Sequence, residues 1–234
     1  MKKIVILTGA GISAESGFAT FRDSGGLWEQ YSVEDVASIE GYWRNRELVQ
    51  EFYNDRRRQS IGSKPNLGHT LVKGLERYFD VTVVTQNVDN LHEQAGSKNI
   101  IHLHGELMKA TSERNPNDPN CIVELSPEHP DIHMGDKAND GSQLRPFIVW
   151  FGEAVPMIEY AAEAVEEADI MLIIGTSLNV YPAAGLIHYT QPTCPIYVID
   201  PKPVSVQINR KITFIQKKAT DGMQEFYKLL GLEE

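Results

Sequence analysis

The chain has only two cysteines in 234 residues, Cys121 and Cys194, far apart and in unlike surroundings. That excludes a disulfide scaffold and fits a reducing compartment. No Cys-x-x-Cys pair occurs, so a zinc centre made of four thiolates is excluded as well. Positive charge is also short: 22 Lys and Arg against 32 Asp and Glu leave a formal net charge of −10. An acidic chain is a poor binder of phosphate backbones, and no direct nucleic-acid contact is expected. Long apolar runs are missing too. No stretch approaches the roughly 18 apolar residues of a membrane span, and the opening IVILTG is too short for a signal-peptide core. A cytoplasmic protein with no membrane partner is the expectation.

What is present is a set of short apolar runs ending in glycine or polar residues: KIVILTG (3–9), VTVVTQN (81–87), NIIHLHG (99–105), FIVWFGE (147–153), IMLIIGTS (170–177) and IYVID (196–200). Nearly continuous runs of this kind suit parallel strands covered on both faces. Helical patterns alternate with them, as in MIEYAAEAVEEA (157–168) and GMQEFYKLLG (222–231). The expected fold is α/β: a doubly wound, Rossmann-like parallel sheet with a smaller inserted module made of two chain segments. One catalytic domain would span 1–234, with its core at about 1–18, 80–111 and 146–234. A helical insert would occupy about 19–79, with a loop and two helices over 19–68. The stretch of about 112–145, rich in Pro, Asn, Asp and Gly, reads as a loop-rich excursion. Ligands of such a sheet bind beyond the carboxyl ends of its strands.

Four motifs collect at those ends. LTGAGISAESGFATFRDSGGLW (7–28) sets Gly9, Gly11 and Ala14 as a G-x-G-x-x-A turn from strand to helix, suited to a pyrophosphate. The second strand with an acidic residue about 20 positions on, usual in a hydride-transfer dehydrogenase, is missing. In its place stands FRDSGGLW, with Phe21, Arg22 and Asp23, which reads as a mobile flap. TQNVDNLHEQAG (85–96) crowds Gln86, Asn87 and Asp89 at a strand end, where Asn87 or Asp89 could also cap the following helix. HLHGEL (102–107) in a strand would set His102 and His104 on one face, and a histidine beside such a polar cluster is a general-base candidate. GTSLNVYPAAG (175–185) places Gly175, Thr176 and Ser177 at a second strand-to-helix turn.

In their order and spacing, GAGISAESG, TQNVDNLH, HLHGEL, VWFGE and GTSLNVYPAAG resemble the sirtuins, the NAD-dependent protein lysine deacylases, over nearly the whole chain. The resemblance implies that Gly9, Ala10, Gly11, Glu15, Phe21, Arg22, Gly175, Thr176, Ser177, Asp200 and Ala219 hold NAD, Asp200 standing where relatives often carry Asn. It implies Gln86, Asn87 and Asp89 around the nicotinamide and its ribose, with His104 the catalytic base acting beside Asn87 and Asp89. Val149, Trp150, Phe151, Gly152 and Glu153 would run beside an acylated lysine peptide. The implied products are nicotinamide, free lysine and O-acyl-ADP-ribose. Many sirtuins carry a zinc module with two Cys-x-x-Cys pairs, which would fall in 112–145. Only Cys121 is there; with His129 and His133 it could make an improvised site, but the two histidines sit in a Pro-rich loop and no zinc is expected. Mono-ADP-ribosyl transfer from the same NAD site, or a non-catalytic NAD or ADP-ribose sensor, are the alternatives; His104, Asn87, Asp89 and VWFGE favour deacylation.

RELVQEFYNDRRRQ (46–59) reads as a helix with Leu48, Val49, Phe52, Tyr53 and Arg56 along one face. On charge alone its arginines form a solvated face, and Arg57 and Arg58 are expected in solvent. The Tyr53-x-x-Arg56 pair, with a small residue at Ala37, resembles the sirtuin class that removes succinyl, malonyl and glutaryl groups. A guanidinium fork can grip a carboxylate with two bonds while the tyrosine adds a third. Nothing in the sequence demands more than a monomer.

Overall fold

A computed structural model describes residues 1–18, 31–206 and 208–233. The apolar runs assemble one parallel sheet from β1 (Lys3–Thr8), β2 (Asp80–Thr85), β3 (Ile100–His102), β7 (Ile170–Ile174), β8 (Ile196–Ile199) and β9 (Ile212–Ile215), in the order β3-β2-β1-β7-β8-β9. Side chains alternate across a strand, which explains why the runs are apolar throughout. Ile4, Ile6, Leu172 and Ile174 face α5 (Leu67–Gly74) and α8 (Ala219–Leu230), while Val5, Leu7, Met171 and Ile173 face α7 (Ile158–Glu166). Chain order turns back between β1 and β7, and the crevice beyond their carboxyl ends is the switch point where such sheets take ligands. The edge strand β9 was not anticipated; ITFI is short and largely half-exposed, so its apolar signal is weak. No helix among the described residues is long and apolar enough to cross a membrane.

FIVWFGE is not a strand of this sheet. β6 (Leu144–Ile148) pairs antiparallel with β4 (Gly105–Ser112), and β5 (Val123–Glu124) adds to β4, making a separate three-stranded sheet in the order β5-β4-β6. NIIHLHG is correspondingly split between β3 and β4. The divider is Gly105, at φ +83°, where a Cβ would lie 2.1 Å from the Phe147 carbonyl oxygen. His102 and His104 therefore do not share a strand face.

α1 (Ala10–Ser13) opens the first turn; α2 (Val33–Val36), α3 (Ile39–Arg44) and α4 (Arg46–Ser60) form the helical insert, and α6 (Leu91–Ala95) follows β2. The insert shares a third core with the small sheet: Val36, Tyr42, Val49, Phe52 and Tyr53 pack with Leu107, Ile148 and Trp150. Leu48, expected on the inner face of α4, is exposed.

The larger correction concerns Arg57, which is 0% exposed. Its Nε donates to the Pro130 carbonyl at 2.5 Å and its Nη2 to Asn54 Oδ1. Asn54 in turn bonds both backbone groups of Ile132, and Arg58, on the surface as expected, pairs with Asp131. α4 thus grips the 130–132 turn, a contact more than 70 positions away that a charge run cannot announce. Within 112–145, Asp140 accepts from Ser112 Oγ, Asn115 Nδ2 and both the amide and hydroxyl of Ser142. Cys121 and Cys194 are free and buried. His129 and His133 are exposed, and among the described residues no group of three or more His, Cys, Asp or Glu is placed to hold a metal.

Candidate active site

The β1–α1 turn and the turn after β7 lie against one another. Gly9 N donates to Ile174 O and Gly11 N to Gly175 O. A Cβ on Gly11 would sit 2.6 Å from Gly175 Cα, and Gly175 itself has φ +63°. These glycines are required by the close approach of two chain segments, before any ligand is considered. The Ala10 amide, at the mouth of the crevice, makes no hydrogen bond among the described residues. Glu15 is tied to the Thr220 amide at the start of α8, beside the buried Ala219. Asp200, at the end of β8, accepts from the Lys202 amide. Phe21 and Arg22 lie outside the described residues.

Beyond β2 the polar cluster is tightly tied. Gln86 Nε2 donates to Thr176 Oγ1 at 3.0 Å, joining the two crevice walls, while Ser177 is exposed beside it. Asn87 Nδ2 donates to Gly9 O (3.1 Å) and to Ser13 Oγ (3.2 Å), leaving its Oδ1 without a bond among the described residues. Ser13 Oγ donates to Asp89 Oδ2 at 2.9 Å, and Asp89 Oδ1 holds the Leu91 amide at the start of α6. Asn90, not Asp89, is the N-cap of that helix and makes no side-chain cap bond; Asp89 receives the first helical amide from one residue outside. Burial raises its carboxyl pKa against those two donors. Beneath lies a chain that motif reading missed: His92 Nε2 meets Thr8 Oγ1, which donates to Thr85 Oγ1, which accepts the Asn87 amide. Ser13 was missed as well, although it lies inside the quoted GAGISAESG motif.

His104 Nδ1 lies 3.0 Å from the Gln86 carbonyl oxygen. A carbonyl can only accept, so Nδ1 carries the hydrogen and Nε2 keeps its lone pair. Burial lowers the His104 pKa, the Gln86 bond opposing it, so the ring is a neutral base at pH 7. His102 points elsewhere, with Nδ1 on Asn87 O and Nε2 on Glu93 Oε1 at 2.7 Å.

The 149–153 segment joins this site to α4. Val149 N donates to the His104 carbonyl. Phe151 N donates to Ala37 O and Ile39 N to Phe151 O, so both backbone groups of Phe151 are occupied. Gly152 N and the Val149 carbonyl remain without bonds among the described residues. Trp150 is buried, and its indole Nε1 donates to Tyr53 Oη at 3.0 Å. Glu153 accepts the Trp150 amide and both Nη atoms of Arg145, whose guanidinium lies 3.6 Å from the Trp150 ring centroid. Burial pushes the Tyr53 hydroxyl pKa up, keeping it a proton donor. One turn along, Arg56 is half-buried; burial lowers its pKa, with Tyr53, Asp55 and Tyr31 opposing. It makes no hydrogen bond or ion pair among the described residues.

A crevice with a free amide at a helix start, an unpaired amide oxygen, a buried carboxyl and a neutral imidazole suits a dinucleotide, with a base held near its sugar. The Sir2 family model matches residues 9–182. A protein of Bacteroides thetaiotaomicron, called an NAD-dependent protein deacylase, is 60% identical over 230 residues, which is 98% of each chain. A solved Sir2 homologue–NAD complex superposes with a TM-score of 0.84 at 36% identity, covering 98% of this chain and 90% of the other. A Sir2 protein bound to an acetylated peptide gives 0.80 at 28%, covering 98% and 94%.

Proposed function

From the premise that this chain belongs to the Sir2 family, we propose that it is an NAD-dependent protein lysine deacylase that prefers acyl groups ending in a carboxylate, succinyl and malonyl above acetyl. Its partners are acylated lysines of peptides and proteins, in the cytoplasm, and it acts as a monomer without zinc. The observation that carries the acyl preference is Arg56: a half-buried guanidinium without a partner among the described residues, one turn from a hydroxyl that burial keeps protonated. A cation left unpaired in partial burial is costly unless an anion completes it.

NAD, when bound, supplies the ribose carbon that takes the acyl oxygen and releases nicotinamide. Ala10 and the turn at Gly175, Thr176 and Ser177 offer donors to its phosphates and ribose, with Gly9 and Gly11 shaping that wall; Glu15, Asp200 and Ala219 line its far end. Gln86, Asn87 and Asp89 surround the nicotinamide end. His104 accepts a proton at Nε2, its other nitrogen being held by Gln86 O. Gly152 N and the Val149 carbonyl offer the peptide backbone a partner on each side of Phe151. Ala37, whose small side chain leaves room, closes the acyl pocket with Tyr53 and Arg56.

The direct experiment is mass spectrometry of matched acetyl-lysine and succinyl-lysine peptides, with and without NAD. Faster NAD-dependent loss of succinyl supports the reading, and loss of acetyl alone overturns its acyl preference. Nicotinamide release should require the acylated peptide; release without it would point to ADP-ribosyl transfer or NAD hydrolysis instead.

A further inference from the structure

The Tyr53 hydroxyl has one proton to give and room to accept. Trp150 Nε1, a group that can only donate, already occupies its acceptor side at 3.0 Å. The hydroxyl makes no other hydrogen bond among the described residues, so its own proton remains to be placed. An O–H that accepts one bond becomes a better donor for the next. Trp150 has no freedom to withdraw. Its ring lies under the Arg145 guanidinium, its amide donates to Glu153 Oε2 at 2.9 Å, and Arg145 is itself pinned to Glu153 and to the Ile148 carbonyl. Trp150 also packs beside Tyr42, ring centroids 4.8 Å apart.

We infer that Trp150 is a specificity-determining positioning residue: its indole N–H turns the Tyr53 hydroxyl into an obligate donor aimed at an acceptor oxygen on the acyl group. This rests on the acidic-acyl reading above and adds to it a reason for discrimination. A succinyl carboxylate gives the hydroxyl an anionic acceptor beside Arg56. An acetyl methyl gives it none, and a polar group left unpaired on binding is penalised far more than one that is matched is rewarded. Tyr53 and Arg56 are therefore incomplete without the indole behind them.

The test is the dissociation constant of succinyl-lysine and acetyl-lysine peptides, by calorimetry in the absence of NAD, for wild type, Trp150→Phe, Tyr53→Phe and the double variant. Phe keeps an aromatic ring but removes the N–H together with part of the indole volume, so the readout is the ratio of the two peptides' affinities, which a general loosening of the packing would leave unchanged. Trp150→Phe should lower the succinyl preference about 3- to 10-fold, and Tyr53→Phe by at least as much. In the double variant the loss should equal that of Tyr53→Phe alone, because the indole acts through the hydroxyl. Losses that multiply, or a Trp150→Phe effect equal on both peptides, would overturn the inference. Arg56→Met separates the two ideas. If it abolishes the succinyl preference while Trp150→Phe does not change it, the acyl reading stands and this inference falls. If Arg56→Met leaves the preference intact, the acyl reading falls and takes the inference with it. Should Trp150→Phe not fold, Tyr53→Phe alone decides: it must weaken succinyl binding selectively.

Discussion

His102 and His104 stand two residues apart and are bonded on opposite terms. Both nitrogens of His102 face acceptors, Asn87 O and Glu93 Oε1, whereas His104 meets one carbonyl and its Nε2 makes no hydrogen bond among the described residues. Burial disfavours charge on both rings, but the Glu93 carboxylate reverses the outcome at His102, raising its pKa, while that of His104 is lowered.

The catalytic pH profile should follow from His104. kcat/KM is expected to fall on the acid side through an apparent pKa below the ordinary 6.5, since only the neutral ring can accept a proton. His104→Ala should cost about 10²–10⁴-fold in rate. NMR titration of the two rings checks the assignment: His102 should stay protonated above 6.5 and His104 should not. The sign for stability at His102 is the reverse of an acid's. Its pairing with Glu93 stabilises the fold fully below the unfolded pKa and is lost as pH rises through the raised folded value.

Arg56→Met should reduce kcat/KM for a succinyl peptide by about 10- to 100-fold, the worth of a charge-assisted bond, with a much smaller effect on an acetyl peptide. Steady-state kinetics on matched peptides measures this, and equal losses would remove Arg56 from the acyl pocket.

Arg57→Met probes fold rather than selectivity. Losing charged donors to Pro130 O and Asn54 Oδ1 should destabilise the protein by about 2–3 kcal/mol, a fall in Tm of roughly 4–12 °C. Burial pushes this guanidinium down to about 10, so it remains charged at pH 7 and the loss should not vary between pH 6 and 8. A chelator, added in parallel, should leave Tm unchanged if the module holds no zinc, as proposed; a fall in Tm would overturn that part of the proposal.

Acid should unfold the protein through His69 and His92. Their rings lie 5.0 Å apart in the core, and burial pushes them down to about 4 and about 3. A depressed histidine pKa leaves stability untouched above 6.5 and removes it as pH falls towards the folded value. Denaturant titrations should show a loss of about 3 kcal/mol per ring by pH 4, and His69→Gln should flatten that slope.

Sequence reading reached the parallel sheet because strands buried on both faces leave continuous apolar runs, and polar residues gathered at strand ends made Asn87, Asp89 and His104 candidates, which the fold ties to Gly9, Ser13 and Gln86. It failed where the cause was distant in the chain. FIVWFGE is as apolar as any core strand, yet Gly105 turns its partner β4 into a separate sheet. Arg57 sits in a run of three arginines, but the carbonyls that bury it belong to Pro130 and to the side chain of Asn54. Ser13 and Arg145 carry no local pattern that marks what they hold.

α4 assigns its residues to two tasks within two turns. On the proposed reading Tyr53 and Arg56 face the acyl pocket, while Asn54, Arg57 and Arg58 hold the 130–132 segment. A substitution that rotates or shifts this helix to suit a new acyl group would loosen the module at the same stroke, and a changed module would move the acyl pocket. If that reading holds, substrate preference and module architecture are coupled through one helix, and a change made in either should register in the other.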